Sequence, residues 1–225
     1  MRRFTIFTAT AGALVALLPL QAGPAAAAPA TGTARACDPH LTGFSLPTPD
    51  LFTADEVTGT VQASCAPSED IAVGLATGDR RVTVPPLAIV PAGRTTAAFP
   101  LKVREAPSDR FTTKVAARYG ADLLAQPVTV SPGLKAFTLR PESDGVYVYG
   151  EISLWGLSPT GGTVVRLTSD SPLLNPPATK TVRPNVLGED FRFAAERVTS
   201  PQKVHVTATV GTRTMTAEVT LVPSA

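Results

Sequence analysis

The sequence predicts an all-β chain of two tandem β-sandwiches that follow a secretory leader. Three observations support this prediction: one segment recurs at a nearly constant offset, apolar and polar residues alternate with a period of two, and turn-forming residues are frequent. The chain has 225 residues, of which 22 are prolines and 17 are glycines. No window after the leader keeps a helical period, so helices are not expected.

The repeat indicates how the chain is divided. "VGLATGD" (73–79) resembles "VRLTSDS" (165–171), and "LTGFSLPTPD" from Leu41 resembles "LKAFTLRPES" from Leu134. A period near 92 residues is too long for a solenoid unit and matches one sandwich domain. We therefore predict one domain over 41–131 and a second over 134–223. The joint "SPG" (131–133) leaves their relative orientation open.

The strands are predicted from strict alternation. In "VHVTATV" (204–210), valine and alanine alternate with His205 and threonine, which is typical of a half-buried strand. "VGTR" (210–213) and "YGAD" (119–122) place glycine at the first central position of a type II′ hairpin. Pro100 and Pro127 fall inside predicted strands, so we expect them at sheet edges or bulges.

The first residues have the order of a signal peptide. Arg2 and Arg3 precede the apolar run "AGALVALLPL" (11–20), and small residues follow. This pattern predicts a secretory signal peptide over 1–27 and an N-terminal tail over 28–40. The apolar run is too short to span a bilayer, which needs about 20 residues. We expect a secreted, extracellular protein without a membrane span, exported by either the Sec or the Tat route.

Charge argues against nucleic acid as a partner. The whole chain has 20 basic and 18 acidic residues, a formal charge of +2. Loss of Arg2 and Arg3 with the leader makes the two signs equal. A neutral chain without a basic cluster lacks the electrostatic pattern of nucleic-acid binding.

The only two cysteines, Cys37 and Cys65, are predicted to form a disulfide, because an exported chain meets oxidising conditions. A lipid-modified Cys37 and a metal-binding pair are the alternatives. "TARAC" lacks the features of a lipid-attachment site, and two thiols without a nearby histidine make a poor zinc site. We predict no metal and no cofactor.

Several motifs resemble a known family. "GTV" (59–61), "VPAG" (90–93) and "YG" (119–120) resemble the tandem immunoglobulin-like repeats of bacterial secreted and surface proteins, although the second repeat has "VRPN" in place of "VPAG". The resemblance extends from Leu41 to about Pro223. It implies immunoglobulin-like sandwiches that serve as spacers or binding elements.

The residues that could perform catalysis are few. The histidines are His40 and His205, and no G-x-S-x-G segment occurs. We therefore predict no catalytic residue and a protein that is not an enzyme. The alternative is a small secreted hydrolase, which needs the histidines and acids to converge, or an inhibitor of an extracellular enzyme that uses "APSED" (66–70).

One strand of the second repeat is unusually aromatic. "VYVYGEISLW" (146–155) predicts a strand that buries alternate aliphatic residues and exposes Tyr147, Tyr149 and Trp155 on the other face. We call these three residues the aromatic strip and take them as a candidate ligand-binding site. Its partner would be an unknown extracellular protein or a cell-wall polysaccharide.

Structural interpretations of the aromatic strip remain open. The aligned residues of the first repeat are Glu56, Thr58 and Ser64, which are ordinary solvent-facing types. The aromatic side chains could instead make cross-strand pairs or pack between the two repeats. A bulge near Gly150 would turn Trp155 into the core.

Overall fold

The computed structural model describes residues 37–106, 109–143 and 145–223. All of the regular elements in these ranges are β strands, which confirms the all-β prediction. The predicted signal peptide (1–27) and the first part of the predicted tail (28–36) lie outside the described residues. No helix in the described ranges is long and apolar enough to cross a membrane.

The first nine strands form two sheets. One sheet has the order β1-β3-β7-β5, and the other has the order β2-β9-β8-β4-β6, in which β2 pairs with β9 in parallel. The strands are β1 (Leu41–Ser45), β2 (Asp50–Phe52), β3 (Glu56–Ala63), β4 (Ile71–Thr77), β5 (Val82–Thr83), β6 (Leu87–Val90), β7 (Thr96–Val103), β8 (Phe111–Tyr119) and β9 (Asp122–Ser131). We call this pair of sheets the first sandwich.

The last seven strands form the second sandwich. Its sheets have the orders β10-β11-β14 and β13-β12-β15-β16. The strands are β10 (Leu134–Pro141), β11 (Tyr147–Leu154), β12 (Thr163–Ser169), β13 (Thr179–Val182), β14 (Gly188–Ala194), β15 (Gln202–Val210) and β16 (Arg213–Leu221).

The strand order is that of immunoglobulin-like domains. In such domains strands A, B and E share one sheet, and strands C, F and G share the other. In the second sandwich β10, β11 and β14 take the positions of A, B and E, and β12, β15 and β16 take those of C, F and G. In the first sandwich β1, β3 and β7 face β4, β8 and β9 in the same way. The predicted immunoglobulin-like fold is confirmed.

Each sandwich buries its own apolar cluster between its two sheets. Val73 and Leu75 of the first recurring segment, like Val165 and Leu167 of the second, are at most 8% exposed. Burying one such side chain contributes about 1.5–3 kcal/mol. The recurring segment is therefore the buried part of β4 and β12, and the polar residues that follow it form a turn.

The hairpins match their predicted geometry. Gly120 and Gly211 have φ values of 56° and 60°, and the residue after each has a negative φ. This is the pattern of a type II′ turn, which needs a positive φ only at its first central position. Because glycine adopts that conformation without a steric penalty, it sets the register of β8–β9 and β15–β16.

The prolines inside strands lie at sheet edges, as predicted. Pro100 of β7 pairs with Thr58 on one side, and β5 reaches only as far as Val103 and Lys102 on the other. Pro127 of β9 precedes the segment that pairs with β2, which begins at Thr129. At neither position does a strand on the outer side need a hydrogen bond from the backbone N–H. Proline, which lacks this N–H, is therefore tolerated there.

The predicted disulfide between Cys37 and Cys65 is present, with the two Cα atoms 6.4 Å apart. It fastens the described end of the tail to the turn after β3. The adjacent backbone adds a hydrogen bond from the N–H of Ser64 to the carbonyl of His40, at 2.8 Å. The disulfide is expected to stabilise the fold by about 3–4 kcal/mol, because it restricts the unfolded chain.

Asp55 fastens the β15–β16 hairpin to the first sandwich. Asp55 is only 3% exposed. Its side chain accepts hydrogen bonds from the Thr212 N–H at 2.7 Å and the Thr212 hydroxyl at 2.9 Å. The N–H of Phe52 donates to the other carboxyl oxygen at 2.8 Å. A side chain at Gly211 would collide with this carboxyl group. The hairpin glycine therefore serves both the turn and the contact between sandwiches.

Further contacts surround this joint. Arg213 pairs with Glu105 at 2.7 Å, and Phe52 of the first sandwich packs against the apolar cluster of the second. Gly133 lies so close to the carbonyl of Thr53 that a Cβ could not fit between them. All described residues belong to one compact unit. The division into domains over 41–131 and 134–223 accordingly stays a prediction.

We expect Asp55→Ala to lower the free energy of unfolding by about 3 kcal/mol, because buried N–H and hydroxyl donors lose their acceptor. Urea unfolding followed by circular dichroism measures this change. Asp50→Ala, at an exposed carboxylate on β2, is the control and should change the value by less than about 0.5 kcal/mol. Equal effects of the two substitutions would show that Asp55 does not hold the joint.

Candidate functional site

The aromatic strip lies along β11, the middle strand of the sheet β10-β11-β14. Val148, Ile152 and Leu154 are buried as predicted, at 0%, 0% and 3% exposure. Tyr147, Tyr149 and Trp155 lie at the alternate positions and are half-buried. β11 ends at Leu154, so Trp155 follows the strand instead of ending it.

No bulge occurs at Gly150. The pairing of β11 continues through this residue without a shift, with Leu139 on one side and Phe191 on the other. The irregularity of this sheet lies in β10, between Leu134 and Ala136. A Cβ at Gly150 would collide with the ring of Phe191, so the glycine makes room for a core aromatic residue. Trp155 is therefore not turned inward by a bulge in β11.

Arginines from the two neighbouring strands flank the tyrosines. Tyr149 pairs across the sheet with Arg140 of β10 and with Arg192 of β14. The Cζ atom of Arg140 lies 4.4 Å from the centroid of the Tyr149 ring. The Cζ atom of Arg192 lies 4.3 Å from the centroid of the Tyr147 ring. Each tyrosine therefore has a guanidinium group over its ring, a contact that stabilises by about 0.5–1 kcal/mol at exposed sites.

The next pair on the same face is acidic. Glu151 lies opposite Asp190 in the register of β11 and β14, two residues from Tyr149 and Arg192 respectively. Like charges directly opposite one another destabilise a sheet. Both residues are exposed, which reduces this cost through solvent screening. The face therefore changes from basic to acidic over about 6–7 Å along the strands.

Trp155 forms one wall of an open cleft of about 620 Å³ at the far end of the strip. Its backbone N–H donates to the carbonyl of Gly133 at 3.0 Å, and Lys135 Nζ lies 5.7 Å from the ring centroid. The indole N–H is buried and has no acceptor among the described residues.

His205 faces outward, as its place in the alternation predicted, and it contacts two acids. Its Nδ1 lies 2.8 Å from Asp170 and its Nε2 lies 3.3 Å from Glu218. The hydrogen bond to Asp170 is the main cause that raises the pKa of His205 above its ordinary value. The backbone N–H of His205 is the main cause that lowers the pKa of Asp170. The two residues form a mutually stabilising surface pair.

The two histidines of the hydrolase alternative contact different acids, and this alternative stays a prediction. The ion pairs of His40 are with Asp38 of the tail and Asp122 of the first sandwich, whereas those of His205 are with Asp170 and Glu218 of the second. In the described part of the chain, no group of three or more histidines, cysteines or acids could hold a metal ion.

The segment proposed as an inhibitory loop is held at two points. The side chain of Asp70 accepts the N–H of Ala92 at 2.8 Å, and the carbonyl of Pro67 accepts the N–H of Gly93 at 2.9 Å. These bonds join 66–70 to the turn after β6. The inhibitor alternative stays a prediction, because a fixed loop is compatible with it but does not identify a target.

Trp155, the only tryptophan of the chain, should give a fluorescence spectrum intermediate between a core and an exposed residue. Its half-buried ring and buried N–H predict emission to the blue of the unfolded chain and partial protection from acrylamide quenching. Quenching as efficient as that of the chain unfolded in guanidinium would contradict the packed position. The same measurement on Lys135→Ala tests whether the ammonium group covers the ring.

We expect His205→Gln to destabilise the protein more at about pH 5.5 than at about pH 8.5. A raised pKa in the folded state means that protonated His205 stabilises the fold below the unfolded pKa, and this contribution disappears as the pH rises through the folded pKa. Melting temperatures of the wild type and the variant at both values check the direction. An NMR titration of Asp170→Asn should show a lower His205 midpoint, and an unchanged midpoint would contradict the pairing.

No protein-family model matches this chain, and none of the curated proteins matches it. Among solved structures the chain is similar to the D00–D0 domain of intimin, at 11% identity and a TM-score of 0.31, over 81% of this chain and 98% of that one. It is also similar to domains 5–6 of the S-layer protein SbsC, at 12% identity and a TM-score of 0.30, over 84% of this chain and 100% of that one.

A third similar structure is the class 5 fimbriae chaperone CfaA, at 11% identity and a TM-score of 0.30, over 79% of this chain and 99% of that one. All three TM-scores lie well below 0.5. The immunoglobulin-like assignment therefore rests on the strand order of this chain itself.

Proposed function

We propose that this chain is a secreted, non-catalytic binding or scaffold protein that contacts an extracellular protein through the outer face of β10-β11-β14. The observation that carries the proposal is the aromatic strip, which lies on that face and is flanked by Arg140 and Arg192. The disulfide between Cys37 and Cys65 agrees with an oxidising, extracellular location.

The composition of this face is that of a protein-binding surface. Tyrosine, tryptophan and arginine are the residue types most enriched among those that dominate binding energy. The aligned face of the first sandwich carries Glu56, which pairs with Lys102 at 3.0 Å, and Thr58. Two sandwiches with the same fold thus present different surfaces. This difference supports a division between a scaffolding module and a binding module.

A protein partner is favoured over a polysaccharide by the cation–aromatic contacts. Sugar binding by stacking needs an accessible ring face, and the guanidinium groups of Arg140 and Arg192 already cover faces of Tyr149 and Tyr147. Trp155 is the member of the strip that could still contact a sugar ring, because it borders an open cleft. A single partly buried tryptophan offers little area for a polysaccharide chain.

The proposal is tested with a double variant, Tyr147→Ser with Tyr149→Ser, and a matched control, Glu56→Ser with Thr58→Ser. Fluorescently labelled protein is titrated onto two separate matrices: envelope proteins of the producing cells, and purified wall polysaccharide. We expect saturable binding to the protein matrix only, loss of this binding after protease treatment of the matrix, and a loss of at least about tenfold in affinity for the tyrosine variant.

The control variant should bind as the wild type does, and melting curves must show that both variants are folded. Wild-type affinity of the folded tyrosine variant would refute the proposed face. Binding to the polysaccharide matrix alone would replace the protein partner with a glycan.

A further inference from the structure

We propose that Arg140, Tyr149 and Arg192 form a recognition site for an anionic group, a carboxylate or a phosphate, of the partner. We call these three residues the arginine row. This inference rests on the proposed function, because it assigns a ligand chemistry to the same face.

The register places the two arginines on either side of one residue of β11. Arg140 and Arg192 both pair with Tyr149, from the two strands that neighbour β11. Their Cα atoms are therefore separated by two strand spacings, about 10 Å. Guanidinium groups that lean over the central strand from both sides can approach one bound anion together, or each can bind an oxygen of a larger one.

The tyrosine rings hold the guanidinium groups in place. Arg140 lies over Tyr149 and Arg192 lies over Tyr147, at 4.4 and 4.3 Å from the ring centroids. A stacked guanidinium keeps its N–H donors at the edge of its plane, where they can bind a carboxylate or phosphate with two parallel hydrogen bonds. Stacking also reduces the side-chain entropy that would otherwise be lost on binding.

Among the described residues, the two arginines have few acidic partners. Arg140 is exposed and forms no ion pair within the described residues. Arg192 has a 56% exposed side chain, and its Nη1 lies 3.7 Å from a carboxylate oxygen of Glu142, an ion pair too long for a good hydrogen bond. An incoming anion would therefore gain charge-assisted hydrogen bonds from Arg140 without displacing an internal partner, and at Arg192 it would compete only with the long Glu142 contact.

Elsewhere in the chain, an arginine that lies over an aromatic ring is already paired with a carboxylate of the chain itself. Arg81 lies 3.5 Å from the centroid of the Phe111 ring and donates two hydrogen bonds to Asp79, at 3.0 and 2.6 Å. Those bonds lower the pKa of Asp79 to about 2. There the carboxylate is supplied from within the chain. In the arginine row the stacked guanidinium groups are present, but the carboxylate of Glu142 approaches Arg192 only to 3.7 Å, which is longer than a hydrogen bond.

The acidic pair next to the arginine row restricts the position of the ligand. Glu151 and Asp190 lie two residues further along β11 and β14, at a distance of about 6–7 Å along the strands. They repel an anion on that side. Glu142 adds a negative charge at the other end, because its N–H donates to the carbonyl of Tyr147 and its carboxylate lies 3.7 Å from Arg192. We therefore expect the anionic group to lie over Tyr149, close to Arg140, and not over the cleft beside Trp155.

The test uses the folded mature chain, an acetylated hexaglutamate peptide and inorganic tripolyphosphate as probes, at near-physiological salt to suppress non-specific attraction. NMR spectra that record the side-chain Nε–Hε signals of arginine follow each titration. We expect the signals of Arg140 and Arg192 to shift with at least one probe. Binding of the peptide alone assigns a carboxylate, and binding of tripolyphosphate alone assigns a phosphate.

Variants separate this site from general charge attraction. Arg140→Gln and Arg192→Gln should each weaken probe binding by about five- to tenfold. Arg166→Gln, at an exposed arginine of β12 in the other sheet, is the matched control and should change nothing. Tyr149→Phe should keep the affinity because the ring remains, whereas Tyr149→Leu should weaken it about two- to fivefold.

Two results overturn the inference: neither probe shifts the two arginine signals, or Arg166→Gln weakens binding as much as Arg140→Gln. If either occurs while Tyr147→Ser with Tyr149→Ser still lowers partner affinity, the anionic chemistry is wrong and the binding face stands. If that double variant also leaves partner affinity unchanged, both the anion-binding site and the proposed function are wrong.

Discussion

The burial of alternate residues along β11 determines which side chains the second sandwich can present to solvent. Val148 and Ile152 are completely buried between the two sheets, so their neighbours Tyr147 and Tyr149 must point away from the core. A shift of one residue would bury the tyrosines and expose the aliphatic side chains. The core thus fixes the orientation of the candidate binding residues without contacting a ligand itself.

The remaining structure keeps this register in place. Gly150 lets the ring of Phe191 reach the core, and the pairing of β11 with both neighbours stays regular across it. Asp55 then joins the hairpin of the opposite sheet to the first sandwich through Thr212. The packed core determines which face of β11 is exposed. The buried carboxyl group of Asp55 joins the second sandwich, which carries this face, to the first.

The features that could be predicted from the sequence depend on residues that are close to one another along the chain. Alternation in 204–210 predicted the outward position of His205, and glycine at Gly120 and Gly211 predicted the hairpins. The partners of those side chains could not be found in this way. Asp170 reaches His205 only because β12 pairs with β15, and the arginine row depends on the register of three strands. Several strand pairings fit the same alternation, so periodicity alone does not select one.

Arg81 is paired with an acid of its own turn, whereas Arg192 is only weakly paired. This difference follows from backbone geometry. Asp79 and Arg81 lie two residues apart in a turn, which brings their side chains together at 2.6 Å. Asp190 and Arg192 are also two residues apart, but an extended strand separates them by about 6–7 Å, and the Arg192 guanidinium lies over the Tyr147 ring instead. The same acid–x–arginine spacing thus pairs Arg81 with its acid in a turn, whereas on the strand Arg192 keeps only the long contact with Glu142. An exposed strand that carries arginine beside tyrosine can therefore keep a binding site open where a turn would close it.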